Sequence, residues 1–167
     1  MYKRQVQWII KKVIPKAQLI ILYGATASGK SFVSLDMACA IARGAPWRGR
    51  KTLKGRVAYV VAEGVNFFPY RLQAYAKFHD IDIKDIDIHF VKTAPNLMKG
   101  DDVRDLIRAL KTLGPLVLVV LDTLAQCMAG GNENSSEDMG LAISQAKVIA
   151  EVLGCTCLLY TSDAADD

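Results

Sequence analysis

Short runs of apolar residues alternate along the chain with longer stretches whose apolar residues recur every three or four positions. The apolar runs at Gln18–Tyr23, Arg56–Ala62 and Leu116–Leu121 predict buried strands, because a strand covered on both faces is hydrophobic throughout. The stretch Asp87–Val91 alternates polar and apolar residues, which predicts a strand with one solvated face. One more strand is predicted over Cys155–Tyr160.

Helices are predicted between these strands. The stretch Lys30–Ala42 has its apolar residues on one face and ends before Gly44, and a second helical stripe runs over residues 68–79. Asp101–Leu113 carries acids in its first turn and a lysine in its last, as the helix dipole favours. A fourth helix is predicted from a capping box at residue 135 to Leu153. This alternation predicts an α/β fold with a mostly parallel sheet.

Composition narrows the class of protein. The chain has 167 residues, of which 51% are hydrophobic and 23% charged, and this composition predicts one domain with a sizeable core. The net charge of +4 is mildly basic, which permits contact with nucleic acid without arguing for it. The longest apolar run is far shorter than the ~20 residues of a membrane span. The four cysteines have no disulfide or zinc spacing, so we expect free thiols in a cytoplasmic protein away from membranes.

The segment GATASGKS, residues 24–31, matches the pattern G-x-x-x-x-G-K-[ST]. Its glycines let the backbone turn N–H groups inward around an anion, and the start of the following helix favours the same charge. We expect Lys30 to contact the terminal phosphates of ATP and the Ser31 hydroxyl to bind Mg²⁺. The pattern lies between a predicted strand and a predicted helix, which is the context it requires. The predicted nucleotide-binding residues are Gly24, Ala25, Thr26, Ala27, Ser28, Gly29, Lys30, Ser31 and Phe32.

Two acids lie at strand ends on the expected side of the sheet. Asp122 follows the apolar strand Leu116–Leu121 and is predicted to anchor Mg²⁺ together with Ser31, although an aspartate there can also simply cap a loop. Glu63 ends the strand Arg56–Ala62 and is predicted to orient the attacking water; the alternative is an exposed acid without a role. Because the carboxyl ends of parallel strands line one crevice, both acids are expected beside the phosphate loop.

Three segments together resemble a known family: GATASGKSF, WRGRKTLKGRVAYVVAEG and LVLVVLDTLAQCMAGGNENSSEDMG. They are similar to the RecA-like AAA-family ATPases of phages, prophages and plasmids, whose relatives include the RepA-type hexameric replicative helicases. The resemblance extends from Trp8 to Thr156. It implies a P-loop NTPase with a RecA-like three-layer sandwich that hydrolyses ATP at the subunit interfaces of a hexameric ring, with single-stranded DNA as a candidate partner. It also implies that Lys30 and Glu63 are catalytic and that Asp122 is the Walker B aspartate.

The end of the chain departs from the family. There the family has a strand that ends in a polar sensor residue, commonly histidine, and later an arginine finger, and this sequence does not contain them. Instead, Cys157–Asp167 (CLLYTSDAADD) resembles the translation of a transposase adapter used in sequencing libraries. The resemblance implies a truncated gene, while a divergent natural tail is the alternative. We therefore expect a lead-in segment over 1–16, an ATPase core over 17–156 and a non-native tail over 157–167. Such a core would be incomplete at its C-terminus, with exposed strand edges and weak ATP binding.

Two further patterns leave alternatives open. Trp47–Arg56 contains five cations, which predicts either a contact with phosphates or a solvated connector. Phe67, Phe68 and Tyr70 either contact a nucleotide base or pack in the core. The favoured function is an ATP-hydrolysing motor that acts in DNA replication or recombination. The alternatives are a P-loop kinase that acts on a small molecule, and a nucleotide-gated helicase loader or partition-type module.

Overall fold

A short antiparallel hairpin precedes a five-stranded parallel sheet. In the computed structural model the residues described are 6–25, 27–62 and 64–162. The hairpin consists of β1 (Trp8–Ile10) and β2 (Ile14–Pro15). The sheet consists of β3 (Leu19–Gly24), β4 (Arg56–Val61), β5 (Ile88–Val91), β6 (Leu116–Asp122) and β7 (Thr156–Ser162). The strand order is β3-β7-β6-β4-β5, and all neighbouring pairs are parallel.

Four helices cover the two faces of this sheet: α1 (Lys30–Arg43), α2 (Phe68–Phe78), α3 (Gly100–Lys111) and α4 (Ser136–Leu153). Glycines in left-handed conformation end α1 at Gly44 and α4 at Gly154, with φ of 71° and 62°. The capping box is confirmed, because the Ser135 hydroxyl accepts a hydrogen bond of 3.3 Å from the amide of Asp138. None of the helices in the described part of the chain is long and apolar enough to cross a membrane.

The core has two parts, one on each face of the sheet. Side chains alternate along β6, so that Val119 and Leu121 pack with α3 and α4 while Leu118 and Val120 pack with α1 and α2. All four are fully buried, as the continuous apolar run predicts for a central strand. The three-layer α/β sandwich expected from the sequence is therefore confirmed.

The terminal segments complete this arrangement. In the hairpin, Ile9, Ile10 and Ile14 are buried with the α1 side of the core. Strand β7 lies between β3 and β6 and pairs with both, so the described sheet has no gap at that position. The edge strands of the sheet are β3 and β5. The prediction that the first of these strands is buried is wrong, because it lies at an edge, where Ile21 is 42% and Tyr23 72% exposed.

Candidate nucleotide-binding site

The loop between β3 and α1 turns sharply before the helix begins. Gly29 has a φ of 84°, a left-handed conformation that favours glycine, and Lys30 follows as the first residue of α1. The Lys30 ammonium group donates hydrogen bonds to the carbonyl oxygens of Gly24 (2.5 Å) and Ala25 (2.7 Å). Its cation is thus held beneath the loop by neutral acceptors, which the oxygens of an anion can replace. Thr26 lies outside the described residues.

The Asp122 carboxylate lies at the end of β6 and is only 2% exposed. One oxygen accepts a hydrogen bond of 2.9 Å from the Tyr59 hydroxyl, and the other accepts one from the Tyr160 hydroxyl. The Tyr160 hydroxyl is also 2.9 Å from the Ser31 hydroxyl. Asp122 and Ser31, which were predicted to share a metal ion, are therefore joined through one tyrosine hydroxyl.

The environment of Tyr59 keeps its hydroxyl protonated. Burial, and then the negative charge of Asp122, raises the pKa of Tyr59 well above its ordinary value. The same hydroxyl is 2.8 Å from the Ser34 hydroxyl, whose oxygen is also 3.1 Å from the carbonyl oxygen of Ser31. A series of polar contacts thus connects the first turn of α1 with the end of β6.

A cavity of about 430 Å³ opens between the phosphate loop, the end of β6 and the start of α2. Its lining brings together residues that the sequence predicted separately, namely Ala27, Ser28, Gly29, Lys30, Ser31, Phe67 and Asp122. It also includes Gly64, Arg71, Thr123 and Tyr160. The cationic side chains in this lining are Lys30 and Arg71, and its carboxylate is Asp122. The cavity therefore suits a phosphate chain that carries a bound cation.

Glu63 itself lies outside the described residues, so its catalytic role stays a prediction. Its described neighbours lie at the site. The amide of Ala62 donates to the carbonyl of Asp122 at 2.7 Å, and Gly64 lines the cavity. The end of β4 therefore meets the same crevice as the end of β6, as the crevice rule for parallel sheets predicts.

Arg71 is a site residue that the sequence analysis missed. Its guanidinium carbon lies 5.0 Å from the centre of the Phe32 ring, and its side chain lines the cavity. Phe32, which was predicted to bind the nucleotide, thus lies against Arg71 at the side of the cavity. No local pattern marked Arg71, because one arginine in an amphipathic helix resembles any other solvated residue.

The aromatic residues at the start of α2 were predicted either to contact a nucleotide base or to pack in the core, and the structure shows a different position for each. Phe68 is 3% exposed, with its ring 4.7 Å from that of Tyr59 and 4.6 Å from that of Phe90, so it packs in the core. Phe67 is 66% exposed and lines the cavity, where a nucleotide base can reach its ring. Tyr70 is 68% exposed.

The oxygen atoms at the site fit a magnesium ion. In the described ranges no cluster of three or more His, Cys, Asp or Glu side chains is arranged to hold a metal. Mg²⁺ at a nucleotide site needs no such cluster, because it takes one or two protein oxygens and completes its coordination with water and phosphate oxygens. The Ser31 hydroxyl and the Asp122 carboxylate are donors of this kind.

Comparison with known proteins agrees with this geometry. Residues 2–161 match the AAA domain family, and the chain belongs to that family. A search of curated proteins finds no match. Among solved structures, the chain is similar to a KaiC-like protein from the hyperthermophilic archaeon Pyrococcus horikoshii OT3, with a TM-score of 0.59 and 17% identity over 95% of this chain and 67% of that one. The chain is thus a RecA-like P-loop ATPase domain.

Proposed function

We propose that the chain binds and hydrolyses ATP as part of a motor that acts on DNA in replication or recombination, similar to the RepA-type helicases. The main support for this proposal is the cavity of about 430 Å³, which is lined by the phosphate loop, Arg71 and Asp122. Two cations face this space, and one buried carboxylate lies at its floor. A triphosphate with its magnesium ion matches that distribution of charge.

Each group then has a specific task. The loop amides and Lys30 bind the phosphates, and Arg71 adds a second cation on the α2 side of the cavity. Ser31 and Asp122 would hold Mg²⁺, which neutralises charge on the β- and γ-phosphates when bound. The Tyr59 hydroxyl keeps the Asp122 carboxylate in one orientation. Glu63 is proposed to orient the attacking water, a role that favours hydrolysis over transfer to another acceptor, since kinases must exclude water.

Release of phosphate from ATP, measured with and without single-stranded DNA, tests this proposal. Lys30→Ala should lose ATP binding, whereas Glu63→Gln should bind ATP and release no phosphate. Glu151→Gln, on the exposed side of α4, is the matched control and should behave like the unchanged chain. Stimulation by DNA supports the motor. Phosphate transfer to a small molecule would instead indicate a kinase, and binding without turnover a loader or partition-type module.

We also propose that the working form is a hexameric ring. In the family that the sequence resembles, an arginine from a neighbouring subunit completes the site, and loss of such an arginine lowers turnover by about a thousandfold or more. The proposal predicts slow hydrolysis by this chain alone. Mass photometry of the purified chain with ATP and Mg²⁺ would show six copies together if the ring forms, and single copies if it does not.

The origin of Cys157–Asp167 is a separate proposal. We propose that these residues are encoded by a sequencing adapter, so that the native continuation after Thr156 differs from the strand described here. Amplification and resequencing of the source DNA across codon 156 tests this directly. A different continuation supports the proposal, and recovery of the codons for CLLYTSDAADD from the source DNA contradicts it.

A further inference from the structure

A strongly basic surface lies at the other end of α1, away from the phosphate loop. Residues 6–56 contain ten lysines and arginines and a single acid, Asp36. The structure joins two parts of this segment: the amide of Lys11 donates to the carbonyl of Lys51 at 2.9 Å, and the amide of Leu53 donates to the carbonyl of Ile9 at 2.8 Å. The exposed lysines of the hairpin turn therefore lie beside the basic segment Trp47–Arg56.

One cation of the basic segment, Arg56, forms an ion pair with Asp87 at 3.0 Å, but six others of this surface do not pair in the described ranges. Across the described residues, no ion pair involves Lys11, Lys12, Arg48, Arg50, Lys51 or Lys54. Asp36, the one acid between residues 6 and 56, lines the neighbouring cavity and accepts a hydrogen bond of 2.8 Å from the indole nitrogen of Trp47. The positive charge is thus available to an external polyanion.

Aromatic rings border a cavity at the same place. The cavity has a volume of about 420 Å³ and is lined by residues of α1, α2 and the basic segment, including Arg43, Trp47, Arg48, Tyr75, Phe78 and His79. The side chain of Phe78 is 85% exposed, and its ring stands edge-on to that of His79 at 5.1 Å. An exposed ring beside free cations is the combination that single-stranded nucleic acids use, because every base has a face that can stack.

A tight turn fixes one cation within this surface. Trp47 and Arg50 exchange two backbone hydrogen bonds, of 2.9 and 2.8 Å, around Arg48 and Gly49. Both central residues have positive φ, 45° for Arg48 and 75° for Gly49. The turn holds the guanidinium carbon of Arg48 5.2 Å from the centre of the Trp47 ring. Arg48 therefore has a defined position at the rim of the cavity although its side chain is exposed.

We propose that this basic aromatic surface, formed by Lys11, Trp47, Arg48, Lys51, Phe78 and His79, binds single-stranded nucleic acid. Phosphates lie on the lysines and on Arg48, and a base stacks on Phe78. The cavity beside this surface is distinct from the nucleotide cavity, because the two share no lining residue. Its role in a DNA motor rests on the proposed function, but its affinity for nucleic acid does not.

The test is fluorescence anisotropy of labelled oligo(dT) with the full chain at several salt concentrations, without ATP. Phe78→Ala should weaken binding about tenfold and leave the salt dependence unchanged, since it removes stacking alone. Arg48→Asn introduces a residue that tolerates the positive φ of the turn. It should reduce the slope of log K against log salt by about 0.7, which corresponds to the loss of one phosphate contact. The matched controls, Tyr70→Ala on the same helix and Lys147→Gln on α4, should bind like the unchanged chain.

Equal binding by Phe78→Ala and Tyr70→Ala would overturn the proposal. Competition by poly-glutamate of equal charge, as strong as that by unlabelled oligo(dT), would also overturn it. The surface would then be a general anion site that suits an acidic protein segment. ATP hydrolysis by the same preparations separates the two proposals. If the chain binds oligo(dT) but does not hydrolyse ATP, this inference stands and the proposed function is wrong. If it hydrolyses ATP but does not bind oligo(dT), the proposed ATPase activity stands and this inference is wrong.

Discussion

The substitution Tyr59→Phe tests how far the fold depends on the contacts of the buried Asp122 carboxylate. It removes one hydroxyl from a fully buried ring and changes nothing else in shape. The carboxylate loses a donor at 2.9 Å and keeps the Tyr160 hydroxyl. Ser34 loses a partner at 2.8 Å and keeps the carbonyl of Ser31. A buried hydrogen bond to a charged group contributes about 1.5–3 kcal/mol, so we expect the free energy of unfolding to fall by about 2 kcal/mol.

The matched control is Tyr75→Phe. The Tyr75 hydroxyl accepts a hydrogen bond of 3.2 Å from Arg43, but the residue is only partly buried, so water can replace the contact. We expect a loss below about 1 kcal/mol there. Urea unfolding at pH 7, followed by circular dichroism, measures the free energy of unfolding of both variants. An unchanged m-value shows that the difference is one of stability. If Tyr59→Phe lost no more stability than Tyr75→Phe, the account of the Asp122 site would be wrong.

The same residue predicts the direction of a pH dependence. Folding raises the pKa of Tyr59 above its ordinary value of 10, so its contribution to stability is complete below pH 10 and is lost as the pH rises further. The fall in unfolding free energy above pH 10 should therefore be shallower in Tyr59→Phe than in the unchanged chain. An identical alkaline slope would contradict this assignment.

Three further predictions concern other parts of the chain. Gly55→Ala should destabilise the fold by about 1–3 kcal/mol, because a Cβ there would overlap the side chain of Val117. Gly140→Ala, with open space in the second turn of α4, should stabilise the fold by about 0.5–1 kcal/mol, and urea unfolding measures both changes. Burial raises the pKa of Cys39 and of Cys127 to about 12, so these thiols should not react with a disulfide reagent at pH 8 until urea unfolds the chain. Fast labelling of the native state would contradict this prediction. Arg71→Ala should weaken ATP binding about tenfold with no loss of stability, by calorimetry and urea unfolding; unchanged affinity would remove Arg71 from the site.

Much of the fold follows from local patterns. The strands β4 and β6 are continuous apolar runs, and the structure buries both. The ends of α1 and α4 were predictable because Gly44 and Gly154 adopt the left-handed conformation that stops a helix. The phosphate loop was predictable because its chemistry depends on eight consecutive residues.

The other features depend on contacts between distant positions, which no local pattern records. Tyr59 and Asp122 are 63 positions apart in sequence, and nothing near Tyr59 marks it as a partner of a buried carboxylate. Arg71 joins the site only because α2 packs beside the start of α1, where its guanidinium meets Phe32. The approach of Lys11 to Lys51 likewise arises from the docking of the hairpin on the core.

Equilibrium binding of a fluorescent ATP analogue, with and without Mg²⁺, shows directly whether Lys30 and Asp122 form one ATP site. It is measured for the unchanged chain and for two variants. We expect Mg²⁺ to tighten binding to the unchanged chain. We expect Asp122→Asn to bind the analogue without any effect of Mg²⁺, and Lys30→Ala to bind weakly under both conditions. Circular dichroism of each variant confirms that it is folded. If all three bound the analogue equally, or if Mg²⁺ tightened binding to folded Asp122→Asn as much as to the unchanged chain, Lys30 and Asp122 would not form one ATP site.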